Sequence, residues 1–382
     1  MPFIRPLLTI AGIATSCLAA IYAVLTVVAV LVWRAKKGPH VSRSLPAITV
    51  LKPLCGAEPG LYEHLRSFCL QDHPQFQIVF GVRDPGDPAC AVVKRLAAEF
   101  ASIPIELVID PRLHGTNLKI SNLINMLPYA RHDVLAIADS DAFVGSDYLN
   151  CVMSPLLDPD VGLVTCLYRG TPTPRIWSRL GAMYINEWYL PSVLLAWLFG
   201  HEGYVSGQTV CLHRDTLRAI GGLQALADHL ADDHRLGELV RELGLRIVLS
   251  RYVVQGEHHE TSFGSLIRHE LRWMRTICVL RPRSFRFLFV SFIVPLALLG
   301  IVAQSSHSWA TWMLFAVAVV ARLVLHFVHR MGDRALLSDL WLVPARDLLI
   351  CWVWCRTFFT SRVTWRGTEF DVDADGVMHP LS

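Results

Sequence analysis

Residues Val134 to Asp141 read VLAIADSD. An apolar run suited to a sheet interior stops abruptly in two carboxylates, Asp139 and Asp141, spaced i, i+2. Working outward, short apolar runs alternate with helix-spaced segments. AITVLKPL (47–54), QIVFGVRD (77–84) and IELVID (105–110) read as strands. GLYEHLRSFCL (60–70), ACAVVKRLAAEF (89–100) and LKISNLINMLPYA (118–130) read as helices. This alternation predicts an α/β domain with a mostly parallel sheet flanked by helices. In open α/β sheets ligands sit beyond the carboxyl ends of strands. Asp84 ends one strand and Asp139 and Asp141 end another, so all three are expected on one edge.

The composition around this domain is that of a membrane protein. Of 382 residues, 53% are hydrophobic and 18% charged, a rich balance for a soluble chain. The net charge of +3 is too small to imply a nucleic-acid partner. Leu7 to Trp33 carries no charged side chain and is followed by Arg34, Lys36 and Lys37. That pattern predicts a membrane anchor over 1–38 whose far end faces the cytoplasm; a cleaved signal peptide is the alternative. Three further apolar stretches, 287–303, 309–328 and 336–359, fall within 285–360. The first two are long enough to span or nearly span. The third carries Asp339, Arg346 and Asp347, which points to a re-entrant, interfacial or bundle-facing segment. Arg346 and Asp347 are adjacent, so on a helix each needs its own partner. The expected organisation is an anchor (1–38), a cytoplasmic catalytic domain (45–276), C-terminal membrane or interfacial helices (285–360) and a short tail (361–382). The ten cysteines are scattered with no C-x-x-C pair, and read as thiols in a reducing compartment. Cys351 and Cys355 read as packing residues.

An isolated D-x-D has two readings. It is either a solvated turn at a strand end or a pair of oxygen ligands for one divalent cation that neutralises a diphosphate. Its company decides. LKPLCG (51–56), VRDPGDPA (82–89), NLKISNL (117–123), ADSDAFV (138–144), SGQTVCLHRD (206–215), GGLQALADHLADDHRLG (221–237) and HELRW (269–273) occur in the order found in the ceramide glucosyltransferase family. VTWRGTEF (363–370) resembles that family's tail. The chain also looks close to a bacterial branch that glycosylates hopanoids. The resemblance implies a membrane glycosyltransferase of the GT-A nucleotide-sugar fold, inverting, placed in the bacterial inner membrane as a multi-pass protein.

Carried over by residue, the resemblance makes Asp84 a contact to the uracil or ribose of a UDP-sugar. Asp139 then sits at the diphosphate, Asp141 completes a Mg²⁺ or Mn²⁺ site, and Asp233 is the general base beside Asp232. Arg272 and Trp273 match a (Q/R)-x-x-R-W motif, with His269 where the family has Gln or Arg. The chemistry asks for such residues independently. An oxocarbenium-like transition state loses an anionic diphosphate, which a cation and an Arg stabilise. The attacking hydroxyl needs a base in reach. Burial of Asp233 beside Asp232 is expected to raise the pair's affinity for protons.

Other residues have two readings each. Lys119 is either a donor contact or a helix-surface residue. Ser206-Gly207-Gln208 suits a loop where substrate approaches backbone closely. Glu257 to Glu260 is either a metal cluster or a polar loop near the membrane. WYLPSVLLAWLFG (188–200) is either a buried core helix or an interfacial entry for a lipid acceptor. The expected reaction moves glucose or N-acetylglucosamine from a UDP-sugar to a lipid hydroxyl, on ceramide or a hopanoid such as bacteriohopanetetrol. A processive polysaccharide synthase, or a non-catalytic lipid-binding or transport protein, are the competing readings.

Overall fold

The computed structural model describes residues 4–36, 45–201, 203–303, 309–330, 337–359, 363–365, 368–373 and 375–380. The chain divides into two compact units. One gathers Gly38–Thr171, His201–His259 and Thr364–Ser382; the other gathers Met1–Lys37, Pro172–Gly200 and Glu260–Val363.

The first unit is built on eight strands: β1 Ile48–Pro53, β2 Phe76–Val82, β3 Ile105–Ile109, β4 Val134–Ile137, β5 Ala142–Phe143, β6 Val161–Pro172, β7 Val210–His213 and β8 Arg246–His258. Their order is β3-β2-β1-β4-β7-β6-β8-β5. The first four are mutually parallel, because the helices Leu61–Cys69, Ala89–Glu99 and Leu118–Met126 carry the chain back between them. Here the sheet matches the sequence expectation. Beyond β4 it turns antiparallel: β7 pairs β4, β6 pairs β7, and β5 pairs β8. The sheet is therefore mixed. β1, β2 and β4 are buried almost throughout, as strands covered on both faces must be. Alternation along β1 sends Ile48 and Val50 into the core on one face and Leu51 into the core on the other. In register, Pro53 lies opposite Gly81 and Leu51 opposite Ile137. The carboxyl ends of β1, β2 and β4 thus share one edge, and Asp84, Asp139 and Asp141 follow from it.

The second unit is helical. Among the described residues two of its helices are long and apolar enough to cross a bilayer, Pro6–Ala35 and Trp309–Val328, with mean hydropathies of 2.4 and 2.0. The stretch 287–303 falls short of the span read from sequence. A 3₁₀ turn at Leu288–Ser291 precedes a ten-residue helix, Ile293–Val302, which rises only about 15 Å. Pro295 in its first turn has no N–H to give and disfavours a longer helix begun upstream.

Leu342–Thr357 forms the third helix of the C-terminal region, and its adjacent charges find separate partners. Arg346 forks onto Glu270 at 2.6 and 2.7 Å. Asp347 receives Arg322 at 2.8 to 3.0 Å. Arg322 also reaches Glu187 at 2.9 Å, and the other oxygen of Glu187 meets His326 at 2.8 Å. Glu187 sits in a single π-helical turn, Ile185–Tyr189, a distortion common where a side chain is aimed for a purpose. Asp339 is buried and pairs with Arg179. The segment 188–200 belongs to this helical unit: Trp197 meets Trp33 edge-on at 4.9 Å, and Tyr22 shares a hydrogen bond with Ser192. Cys355 is exposed on its helix rather than packed.

Candidate active site

β4 ends at Ile137, and the chain turns so that Asp139 and Asp141 leave the sheet edge. Opposite stands the helix Leu118–Met126. Asn117 caps it, accepting the Ile120 N–H at 3.1 Å. This cap fixes the first turn, from which Lys119 places its ammonium 2.7 Å from Asp139 and 3.4 Å from Asp232. Asp232 and Asp233 open the helix Asp232–Glu242, where the helix dipole favours negative charge. Asp233 accepts the N–H of Gly207 at 2.9 Å with one oxygen and that of His234 at 2.7 Å with the other. Asp141 accepts from Gln208 Nε2 at 3.2 Å.

Gly207 is the meeting point. A Cβ there would lie 3.1 Å from Lys119 Nζ, 3.4 Å from Asp139 and 3.6 Å from Asp233. The charged groups of three separate segments converge on this loop.

Burial and charge set the proton affinities. Burial, reinforced by neighbouring Asp232, pushes Asp233 up to about 6, in the direction expected from sequence. Burial also raises Asp139, with Lys119 opposing and Asp141 adding to the rise. Burial works against the charge of Lys119, yet Asp139 and Asp232 outweigh it and hold the ammonium protonated.

Sequence reasoning does not single out Lys52. It lies at the end of β1, fully buried, donates to the Asp139 carbonyl at 2.8 Å and sits 3.5 Å above the Phe68 ring. Burial pulls it down to about 7, with Asp141 and Asp139 opposing. A signal for it exists in LKPLCG: a lysine closing an apolar strand, as Asp139 closes β4. Asn117, which also donates to Asp232 at 3.3 Å, opens the NLKISNL motif but has no role assigned from sequence.

Not every candidate joins this cluster. Asp84 lies on the same sheet edge but is exposed, its carboxylate accepting the Gly86 N–H at 2.8 Å. His269, Arg272 and Trp273 belong to the helical unit, on the helix Phe263–Leu280. There His269 bonds Glu260 at 2.9 Å and packs tilted against Trp273, ring centroids 4.0 Å apart and planes at 45°. Glu257 meets His64 at 3.2 Å and His259 at 3.4 Å. Glu257 and His258 close β8, and among the described residues no group of three or more His, Cys, Asp or Glu side chains is arranged to hold a metal.

The chain is 22% identical over 359 residues to ceramide glucosyltransferase 3 of Caenorhabditis elegans, covering 88% of this chain and 75% of that one. It is 22% identical over 433 residues to the ceramide glucosyltransferase of Pyricularia oryzae, covering 87% and 86%. Among solved structures, the mannosyltransferase PcManGT from Pyrobaculum calidifontis, in complex with GDP-Man and Mn²⁺, superposes with a TM-score of 0.52 at 18% identity, over 92% of this chain and 99% of that one. That likeness concerns the fold, which is GT-A. The model of Glycosyl transferase family 21 matches residues 10–378. The chain belongs to glycosyl transferase family 21 and is a sugar transferase that acts on lipid.

Proposed function

We propose that this protein transfers a hexose or N-acetylhexosamine from a UDP-sugar to a lipid hydroxyl by direct displacement, with inversion at the anomeric carbon. The observation that carries the reading is the convergence of Lys119, Asp139 and Asp233 on Gly207, with Asp232 paired to Lys119.

In this reading Asp139 and Asp141 offer an all-oxygen donor set, which fits Mg²⁺ or Mn²⁺ rather than a softer metal. The cation would supply charge neutralisation to the departing diphosphate. Lys119 turns from Asp139 towards the phosphates as they arrive. Asp84 holds the uracil or ribose, and Arg272 with Trp273 serves the leaving-group side, His269 standing beside them. Asp233, raised to about 6, accepts the proton of the lipid hydroxyl as the glycosidic bond forms, and Asp232 keeps it basic. A single base and one displacement lead to inversion. The acceptor is ceramide or a polyhydroxylated hopanoid; the relatives' names favour ceramide, and the sequence resemblance favours the hopanoid. The catalytic domain, 45–276, faces the cytoplasm of a bacterial inner membrane, held by the anchor 1–38 and the helices of 285–360.

The test is transfer of radiolabelled sugar by the detergent-purified protein. UDP-glucose and UDP-N-acetylglucosamine are each offered with ceramide and with bacteriohopanetetrol, beside an Asp233→Asn control. A glycolipid from one pairing, absent in the control and of inverted configuration, is the expected result. UDP binding without product from any pairing would remove the acceptor assignment; no UDP binding would remove the donor.

A further inference from the structure

The end of the chain folds back onto the segment that delivers the acidic pair. Asp373 accepts the N–H groups of Asp375 and Val377 at 3.0 Å each and meets His379 at 2.9 Å. Gly376 has φ +83°, a left-handed conformation that side-chain-bearing residues rarely adopt. The turn lays Met378–Pro380 antiparallel on Thr368–Val372, Val372 opposite Met378 and Phe370 opposite Pro380. Met378 and Phe370 are buried.

The same turn also engages residues 228–230. His229 and Val377 form an antiparallel bridge. Leu230 N–H donates to Gly376 O at 2.9 Å, and Met378 N–H donates to Asp228 O at 2.8 Å. Residues 227–231 form no helix or strand of their own beyond that bridge. Their other side is held by the cap of the Lys119 helix: Asn117 N–H donates to Ala227 O at 2.8 Å, Asn117 Nδ2 to His229 O at 2.9 Å, and Thr116 N–H to Asp228 Oδ1 at 2.9 Å. Asp232 and Asp233 come next, and the residue before them, Ala231, offers no side-chain cap. The direction in which both carboxylates leave the backbone is therefore fixed by a loop gripped from two sides, one of them the C-terminal tail.

We propose that residues 376–378 form a positioning strap for the transferase site, setting the loop 228–230 so that Asp233 reaches the acceptor hydroxyl. This rests on the reading of Asp233 as the base. A strap of this kind acts on the chemical step more than on donor binding, because Asp139 and Asp141 are carried by other segments and Lys119 meets the strapped loop only through the Asn117 cap and Asp232.

The test uses three detergent-purified variants: one ended by a stop codon in place of Gly376, and two of full length, Gly376→Val and the control Asp233→Asn. Each is assayed with the donor and lipid that give product with the unaltered enzyme. Both tail variants are expected to lose about 10²-fold in kcat, the cost of misplacing a reacting group by about 1 Å. Their donor KM and their thermal protection by UDP are expected to stay within about threefold and a few degrees of the unaltered enzyme. A synthetic peptide covering 372–382, added to the truncated enzyme, is expected to restore kcat. Unaltered kcat in both tail variants, while Asp233→Asn is inactive, overturns the strap. Loss of UDP protection in parallel with kcat in both variants overturns it too, since the tail would then be a general support of the fold. An active Asp233→Asn protein would instead overturn the assignment of the base.

Discussion

Lys119 Nζ lies 2.7 Å from Asp139, which makes one lysine the counter-ion of the carboxylate that ends β4. The same ammonium is 3.4 Å from Asp232 at the start of another helix, so it couples the donor side of the proposed site to the acceptor side. Lys119→Met leaves both carboxylates uncompensated and removes a charge aimed at the diphosphate. The expected loss in kcat is about 10² to 10³-fold, measured by sugar transfer at saturating donor, with Lys119→Arg recovering only part because a guanidinium is larger and planar.

Asp233 sets an acid limb on the rate. Its carboxyl is raised to about 6, and a base works only when deprotonated, so kcat should climb as pH rises through about 6 and then level off. The stability effect has the opposite sign. A folded-state affinity above the unfolded value of about 4 means that the folded protein binds more protons across that window. The stabilisation is therefore full below about 4 and is lost as pH rises through about 6. Asp233→Asn should be inactive at every pH, since its amide can neither take the proton nor accept both backbone N–H groups that the carboxylate accepts. A kcat that stays flat between about pH 5 and 7.5 in the unaltered enzyme would contradict a base of this proton affinity.

Cation removal should separate folding from donor binding. With Asp139 and Asp141 as oxygen ligands, a chelator should leave the melting temperature of the free protein in place but abolish the upward shift that UDP produces. Mn²⁺ or Mg²⁺ should restore the shift in the unaltered protein and fail to do so in Asp139→Asn.

Gly207→Ala asks whether the space at the centre is used. The new Cβ would stand 3.1 Å from Lys119 Nζ, tight but against the flexible end of a side chain. Folding should survive with a small change in melting temperature, while kcat falls by about tenfold or more because the lysine must shift. An unchanged kcat would show that the convergence around this glycine is incidental.

The Arg346–Glu270 fork, both partners buried, predicts strong coupling inside the helical unit. Arg346→Met alone leaves a buried carboxylate unpaired and should cost about 3 to 5 kcal/mol. Combining it with Glu270→Leu should recover most of that loss in detergent unfolding. Additive losses would mean that the fork does not hold the Phe263–Leu280 helix.

Several of these features are legible in the order of residues alone. The apolar runs of β1, β2 and β4 declare themselves because strands buried on both faces rarely tolerate polar residues, and Asp139 stands out by ending such a run. The parallel half of the sheet follows from helices of crossover length between strands. The antiparallel half does not, since β5 to β8 are joined to their neighbours across long intervals of chain and carry no local mark of direction. Lys52 escapes notice because a lysine in a strand is ordinarily exposed; only its environment, under the Asp139 carbonyl and over Phe68, explains it.

The sequence by itself determined the class of fold, the presence of long apolar helices, the edge on which Asp84, Asp139 and Asp141 gather, and the need of Arg346 and Asp347 for separate partners. These depend on periodicity, burial and the side-chain directions of adjacent helical residues, all local quantities. Tertiary structure alone decided that Lys119 bridges Asp139 and Asp232, that Gly207 is the point of closest approach, that Glu270 and Arg322 are the partners of the adjacent charges, and that residues 376–378 grip the loop before Asp232. Each of these joins segments far apart in the chain. Electrostatic and hydrogen-bond partners act over a few ångströms of space, which sequence separation does not encode.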